Sequence, residues 1–565
     1  FISYEFKVMK PFIFIFFSLF FLSSSIPQHK TIHNTRIQEH LFCLTKNGQP
    51  YHIFNRRRNK LCQVDVAKIH YVNAINQTGW AGVDIEIFSH KIPDWLQGYA
   101  AGYLEGTASR DLISDHGYNL FHDYCKGYEE YCGQLKIYLS EQMEFLRTSV
   151  QENRYDKYWR QVNMTLSHLQ GMIDGYEGTM MKIRNDEEII SHIIFRIQLQ
   201  AEIWDLEGKF NHPKWLMRRR SHCSSLVKLT DYNEDLLFSH TTWDSLSALL
   251  RVQKRIRFKL HNIPGMEYSY TGYPGTLASI DDFYLNGDNL AITETTNELY
   301  TDKLFDRMTP QSVPTWIRSQ VATRLSSSGD DWAFIFGRHN SGTYNNQWII
   351  VDYKKFNKGM EKLEPGTLTI LEQMPGAIEV ADMSEHLDRY SYWKSYNRPY
   401  FKEMFNLGGF CEMEKKYGDY FSYSKTARSK IFDREHDSVK DLHSLYKLMR
   451  SNNYMEDEYS RCDICVPHEN AEFAIAARND LNPSNGTYPY KTMNIRDMVA
   501  TDVKFRDSSM PTLNFLSEAG PTHLNQEPFD WRKSDLSEIV RHRGQPSLWK
   551  YNVVDNLWGD DTLYD

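Results

Sequence analysis

The stretch that decides the fold class is Cys223-Ser-Ser-Leu-Val-Lys-Leu-Thr230, followed by Asp231-Tyr-Asn-Glu-Asp235 and Leu236-Leu-Phe-Ser-His-Thr-Thr-Trp243. A short apolar run, a cluster of turn residues and a second apolar run predict two antiparallel strands. Asp244 then predicts the cap of a helix through Ser245-Leu-Ser-Ala-Leu-Leu-Arg-Val252. Further strands are predicted over 277–284, 290–295, 348–353 and 367–372. Upstream, between about 95 and 210, apolar and aromatic residues recur at three and four spacing. Trp95-Leu-Gln-Gly-Tyr-Ala-Ala-Gly-Tyr103 and Leu135-Lys-Ile-Tyr-Leu139 show it, and they predict helices, with a second helical stretch over 187–206. Asn211-His-Pro-Lys-Trp-Leu-Met-Arg-Arg-Arg-Ser-His222 is basic, turn-rich and without a period. A helical N-terminal third therefore precedes an α/β region whose first strand opens at a cysteine, with no internal repeat or low-complexity linker.

The 565 residues carry 65 Lys+Arg against 73 Asp+Glu, a net charge of -8. That balance offers no broad basic field for a nucleic-acid backbone. Hydrophobic residues at 41% and aromatics at 14% are enough for a packed core rather than a disordered chain. Met9-Lys10, the mainly apolar Pro11-Phe-Ile-Phe-Ile-Phe-Phe-Ser-Leu-Phe-Phe-Leu22 and Ser23-Ser-Ser25 read as a secretory signal peptide, with residues 1–8 upstream of the true start. The run is short for an anchor, which takes ~20 apolar residues. Asn76-Gln-Thr, Asn163-Met-Thr and Asn485-Gly-Thr are glycosylation sequons on the same route. The ending Thr-Leu-Tyr-Asp565 is no retrieval signal, so the expected destination is secretion or a lysosome-like lumen. Eight cysteines are too sparse to build the fold, and in an oxidising lumen the close pairs Cys125–Cys132 and Cys462–Cys465 are the expected bridges. Cys462-Asp-Ile-Cys465 also has the spacing of a redox or zinc half-site. It lacks a second Cys-x-x-Cys and a strand-to-helix setting, so a structural bridge is preferred and no metal is expected.

Several catalytic motifs are absent: Gly-x-Ser-x-Gly, the phosphate-binding Gly-x-x-x-x-Gly-Lys-Ser/Thr and His-Glu-x-x-His. Gly287-Asp-Asn-Leu290 resembles the opening of an esterase block with Asn in the nucleophile's place, and reads better as a turn. Cys223 is different, because a cut between His222 and Cys223 would leave it with both a thiol and an α-amine. Such an amine, with an unperturbed pKa of ~7.7–8.0, can accept the thiol's proton, so nucleophile and base would share one residue. By spacing alone, a small buried core cysteine is the simpler reading.

Segments along the chain carry a resemblance. They are Cys223-Ser-Ser-Leu-Val-Lys-Leu with His240-Thr-Thr-Trp243, Tyr344-Asn-Asn-Gln-Trp-Ile-Ile-Val-Asp-Tyr-Lys354, and Gly366-Thr-Leu-Thr-Ile-Leu-Glu-Gln-Met-Pro-Gly376. Ser395-Tyr-Asn397, Ala476-Ala-Arg-Asn-Asp-Leu-Asn482 and Gly520-Pro-Thr522 continue it. Together they resemble, in order over most of 220–531, the phospholipase B-like proteins, lysosomal or secreted glycoproteins with an N-terminal-nucleophile (Ntn) hydrolase fold. The N-terminal third matches mainly in length and pattern. The resemblance implies an αββα sandwich with a helical N-terminal region, and a precursor that cleaves itself before Cys223. It divides the chain into 1–25 as leader, 26–222 as a mainly helical fragment and 223–565 as the Ntn fragment, the two fragments staying associated. It implies the two short bridges already chosen.

The resemblance further implies Cys223 as nucleophile with its amine as base, His240 as an orienting or polarising group, and Asn397 as an amide N–H donor to the oxyanion. Trp243, Thr295 and Arg434 are its pocket residues, although Asp433 stands where relatives often place a basic residue. Spacing alone reads His240 and Trp243 as core and Asn397 as loop. The implied reaction is acyl transfer through a thioester, with no cofactor, releasing fatty acids from glycerophospholipids. An N-acyl amide hydrolase of the same mechanism and a non-catalytic lipid-binding glycoprotein are the alternatives. Arg218-Arg-Arg220 is an external protease target or simply a solvated loop. Arg251-Val-Gln-Lys-Arg-Ile-Arg-Phe-Lys259 is expected to be an outer helix with a charged face, or a peripheral contact for anionic lipid.

Overall fold

The computed structural model describes residues 37–54, 60–213 and 223–558. The described part begins with four strands, β1 (Gln38–Thr45), β2 (Pro50–Phe54), β3 (Cys62–Asn73) and β4 (Trp80–Ile87). These strands are not among the expected elements. The expected helices follow as α1 (Asp94–Ala108), α2 (Arg110–Phe121), α3 (Glu129–Glu152) and α4 (Lys157–Glu177), with the 187–206 stretch broken into short turns of helix. Then come β5 (Ser224–Leu229), β6 (Leu236–Thr241), β7 (Trp243–Ser245), β8 (Arg251–Arg257), β9 (Glu267–Gly272), β10 (Phe283–Asn286) and β11 (Leu290–Thr296). Helices α5 (Thr315–Leu325) and α6 (Gly329–Gly337) precede β12 (Asn346–Asp352), β13 (Leu368–Met374), β14 (Ala377–Asp382) and β15 (Tyr392–Ser395). The last elements used below are α7 (Ala427–Glu435), α8 (Leu442–Met449), β16 (Met498–Ala500), β17 (Asp502–Arg506), β18 (Leu516–Ala519) and β19 (Val554–Asp555).

An eleven-stranded sheet runs β14-β13-β12-β11-β10-β9-β8-β4-β3-β1-β2, and a six-stranded sheet runs β15-β5-β6-β17-β18-β19. Only β4–β8 is parallel in the large sheet, and this pair joins the N-terminal strands to the rest. The sheets face each other across one apolar layer, where Val227, Leu229, Leu236 and Phe238 meet Phe283, Ala291, Ile349 and Ile370. Alternation sends the neighbouring residues the other way. Leu226, Leu237, Val503 and Phe505 pack on Phe432 of α7 and on Leu445 and Leu448 of α8. On the far side of the large sheet, Ile85, Val252, Ile292 and Ile350 pack on Leu96 and Leu104 of α1 and on Trp332 and Phe336 of α6. Mixed α/β layering results, with helices outside two facing sheets.

Two expectations fail in one place. The segment after Asp244 is not a helix but strand β7, a single 3-10 turn at Leu246–Ala248, and strand β8. The basic run 251–259 therefore lies inside the large sheet, between β4 and β9, and offers no outer face to lipid. Its charges are matched by distant acids. Lys254 Nζ binds Glu105 of α1 at 2.6 Å, Arg251 pairs with Asp281, and Arg255 and Arg257 both reach Asp84. Of the strand expected over 277–284, only its end belongs to β10, the rest being buried loop.

Bridges Cys125–Cys132 and Cys462–Cys465 are both formed. A third, Cys43–Cys62, ties β1 to the start of β3; at 19 residues apart it gave no local cue. Among the described residues no helix is long and apolar enough to cross a membrane.

Helices α1 and α4 cross at glycines. A Cβ on Gly102 would lie 2.0 Å from the His168 carbonyl oxygen, and one on Gly171 2.0 Å from that of Tyr99. Backbone on both sides leaves nothing flexible to yield. Gly102→Ala is expected to cost about 3 kcal/mol by overpacking and to lower the melting temperature. Gly133→Ala in α3, where an added Cβ meets nothing within 4 Å, should leave melting unchanged or slightly raised.

Candidate active site

The two-residue period of β5 puts Cys223, Ser225, Val227 and Leu229 on one side, and Val227 and Leu229 show that side to be the inter-sheet layer. Register does the rest: Ser225 pairs with His240 on β6, and His240 pairs with Lys504 on β17. A thiol, an imidazole and an ammonium thus share the inner face of the small sheet. The loop before β10 brings Asp281 and Asp282 to them, and β11 brings Glu294 and Thr295.

The Cys223 thiol points at Asp282, donating to Oδ2 at 3.6 Å. Its sulfur, a ring nitrogen of His240 and a carboxylate oxygen of Asp282 lie within 4.8 Å of one another. Asp282 also accepts from the Tyr344 hydroxyl at 2.6 Å, and, after burial, its negative charge raises the neighbouring Glu294. Burial is the main cause that raises both acids, Asp282 to about 6 and Glu294 well above the ordinary range. Burial, then the negative Asp282 and Glu294, pushes the Cys223 thiol well up, and the Trp243 backbone N–H and Lys504 offset this only in part. Burial, then Lys504, holds His240 well below its ordinary value. The pair at rest is a neutral thiol beside a neutral imidazole, so the sulfur needs a base before it can attack.

Lys504 is fixed by Asp502 at 2.7 Å, the Thr242 hydroxyl at 2.5 Å and the Asp281 carbonyl at 2.9 Å. Arg251 pairs with Asp281 behind it. Thr242 in turn contacts His240 Nδ1 at 3.3 Å, which ties the imidazole to this network. The sulfur, nitrogen and oxygen donors could in type ligate a divalent transition metal. The buried Lys504 ammonium beside them opposes a second cation.

Asn397 lies just past β15 with φ 67°. Its Nδ2 donates to the Thr296 carbonyl at 2.8 Å, and its backbone N–H donates to Thr295 Oγ1 at 3.3 Å. Its Oδ1 accepts from the Cys223 backbone nitrogen at 3.3 Å and from Arg428 Nη2 at 2.8 Å. That geometry differs from the expected oxyanion donor: the amide hydrogens are turned toward Thr296, and the oxygen holds the nitrogen of Cys223. Thr295 joins the arrangement through Ser395, 2.6 Å from its hydroxyl.

Arg428 of α7 donates to the Cys223 carbonyl at 2.5 Å and lies 4.3 Å over the Trp243 ring, whose Nε1 donates to the Ile475 carbonyl. Trp243 is therefore the seat of Arg428, and its backbone N–H faces the Cys223 thiol. Arg434, expected in the pocket, faces outward six residues further along the same helix and pairs with Asp457 at 2.6 Å and Glu435 at 2.7 Å. Asp433 takes Lys394 and Tyr392 rather than reaching inward. A cavity of about 490 Å³ opens beside Arg428, with Arg398, Tyr420, Glu472 and Phe473 in its wall and Cys462 at its border.

His222 and Arg218-Arg-Arg220 fall outside the described residues, as does the leader over 1–25. Asn76 and Asn485 are exposed, whereas Asn163 is half-buried within α4. Sequence reading missed Asp282, Glu294, Tyr344, Arg428 and Lys504. Only Tyr344 sat in a quoted segment, and the others have no spacing that relates them to Cys223.

The phospholipase B family profile matches residues 67–556. "Putative phospholipase B-like 1" of Caenorhabditis elegans is 44% identical over 529 residues, covering 92% of each chain. "Putative phospholipase B-like 2" of Homo sapiens is 39% identical over 507 residues, 87% of this chain and 86% of that one. "Phospholipase B-like protein B" of Dictyostelium discoideum is 35% identical over 505 residues, 87% and 85%.

Proposed function

The chain belongs to the phospholipase B family, and on that premise we propose that it is a self-processing acyl hydrolase of the Ntn kind, with the αββα fold. The observation that carries the reading is Cys223 at the head of β5. Its sulfur faces a buried carboxylate, and its nitrogen is held by Asn397.

In the precursor the nitrogen of Cys223 is an amide and cannot act as a base. Asp282 takes the thiol proton instead, and the sulfur attacks the carbonyl carbon of His222. The C–N bond breaks as the C–S bond forms, and the nitrogen of Cys223 gains a proton and becomes the α-amine. Water then hydrolyses the thioester, leaving a carboxylate on His222 and the free thiol on Cys223. In turnover the α-amine, positioned by Asn397 Oδ1, accepts the thiol proton as the sulfur attacks a fatty-acyl ester. The departing alcohol takes that proton, and water releases the fatty acid from the thioester. Arg428, on the Cys223 carbonyl and Asn397, fixes the frame in which both steps run. Entry through the secretory pathway to a lysosome-like lumen or the exterior goes with this reading, since the bridges form in an oxidising compartment.

The processed protein incubated with a diacyl glycerophospholipid is expected to release fatty acid and, on acid quench, to carry one acyl mass on the fragment containing Cys223. Release from an N-acyl amide but not from the ester would assign amide chemistry. Lipid binding with neither release nor acyl mass would make the protein a carrier.

A further inference from the structure

Two guanidinium groups line the cavity, and one of them, Arg428, also holds the Cys223 carbonyl. Arg398 and Arg428 are 4% and 7% exposed. Their hydrogen bonds run to carbonyl, amide and hydroxyl oxygens. Arg398 donates to the carbonyls of Asn397 and Tyr420, and Arg428 to the Cys223 carbonyl, Asn397 Oδ1 and Ser224 Oγ. Arg398 Nε is buried with no hydrogen-bond partner among the described residues. The acid in the same wall, Glu472, does not neutralise them by contact: its oxygens accept from the Tyr420 hydroxyl at 2.5 Å and from Asn479 at 3.4 Å. Burial raises its pKa, and the nearby charges of Arg428 and Arg398 oppose that rise from a distance. Around them, Lys430 pairs with Asp419 and Arg461 with Glu469, while Lys425, Glu458 and Asp463 also line the cavity.

Burying a charge is costly unless something compensates it, and here two like charges approach one cavity with Arg398 Nε still without a partner among the described residues. Arginine donors in this number suit an oxyanion with several acceptor atoms. Aromatic seats keep them in place: Arg428 lies over Trp243, and Arg398 lies 5.4 Å from the Tyr420 ring centre and 5.2 Å from that of Phe421. We infer that the cavity is an anion subsite in which Arg398 and Arg428 bind the phosphodiester of a glycerophospholipid headgroup. This deepens the hydrolase reading and rests on it for the identity of the acyl-bearing half. Because Arg428 also holds the Cys223 carbonyl and Asn397, the bound phosphodiester and the nucleophile share one rigid frame.

The test is binding of glycerophosphocholine to the purified protein, followed by its phosphorus resonance, with inorganic phosphate and acetate as parallel probes. Saturable binding of glycerophosphocholine is expected, weakened at least tenfold in Arg398→Gln and less in Arg398→Lys, with both variants checked by thermal melting. No saturable binding, or equal affinity in a folded Arg398→Gln, would overturn the inference. Phosphate binding without glycerophosphocholine binding would assign a free-phosphate site and overturn the headgroup reading, as would acetate binding alone. Turnover of a neutral ester, p-nitrophenyl butyrate, separates the two ideas. Turnover without headgroup binding sinks the subsite alone, and headgroup binding with no ester turnover sinks the hydrolase alone.

Discussion

Cys223→Ala is expected to leave the chain whole and to abolish fatty-acid release. Two losses follow from one atom. Without the sulfur there is no attack on His222, so the α-amine is never freed, and there is no thioester in turnover. Because the thiol is buried and packed, loss of a single sulfur costs little volume, and the variant should fold with a melting temperature within a few degrees of the parent. Cys223→Ser sharpens the reading. A hydroxyl is a poorer nucleophile than a thiol and harder to deprotonate, so processing should slow strongly rather than vanish, with a small cut fraction after long incubation. Complete processing of Cys223→Ala, followed on a denaturing gel, would remove the cysteine from the mechanism. A Cys223→Ala chain that is cut yet inactive would separate processing, by another agent, from catalysis.

Asp282→Asn has the second-largest expected effect. Asp282 Oδ2 is the carboxylate oxygen hydrogen-bonded to the sulfur, and in the precursor no amine is present to compete with it. Removing a positioned general base typically costs 10²–10⁴ in rate, so about a hundredfold slower self-cleavage is the expected floor. The pH dependence supplies a readout that a merely structural role would not give. The accepting form is the carboxylate, and burial pushes its pKa up to about 6. Self-cleavage should therefore fall about tenfold per pH unit below about pH 6 and level off above it. The sign follows from the charge, because acidification protonates the acceptor and removes it. In Asp282→Asn this limb should flatten. Glu294→Gln removes the neighbouring acid but leaves Asp282 on the sulfur, and should retain processing. An unchanged rate and profile in a folded Asp282→Asn would exclude the carboxylate as base.

How far the sequence could be read depends on whether each feature is local. The β5–β6 pair was legible because its signals are adjacent: two apolar runs and a turn cluster between them. Two of the bridges were legible because their cysteines are close. The match around Cys223, His240 and Trp243 was legible for the same reason, since all three lie within one strand pair and its end. Strand β8 was misread because its arginines and lysine look like a solvated helix face. Their partners Glu105, Asp84 and Asp281 are supplied by other elements and become visible only once the sheet is closed. Asp282 was invisible for a related reason. It reaches Cys223 from the loop before β10, and no period connects residues 223 and 282. Arg428 and Arg434 lie on one helix, and only packing against Trp243 decides that the first faces the site. Asn397 was found by its motif, but which end of its amide faces Cys223 depends on Thr296 and Arg428 as competing partners.

The central claim is that a free α-amine on Cys223 is made by the chain itself. Intact mass and N-terminal sequencing of the purified wild-type protein, beside Cys223→Ala, tests it most directly. The expected result is a wild-type fragment beginning at Cys223 and an unbroken variant. A wild-type chain that stays whole, or one whose second fragment begins at Ser221 after cutting at Arg220, would leave the amine blocked and contradict the account.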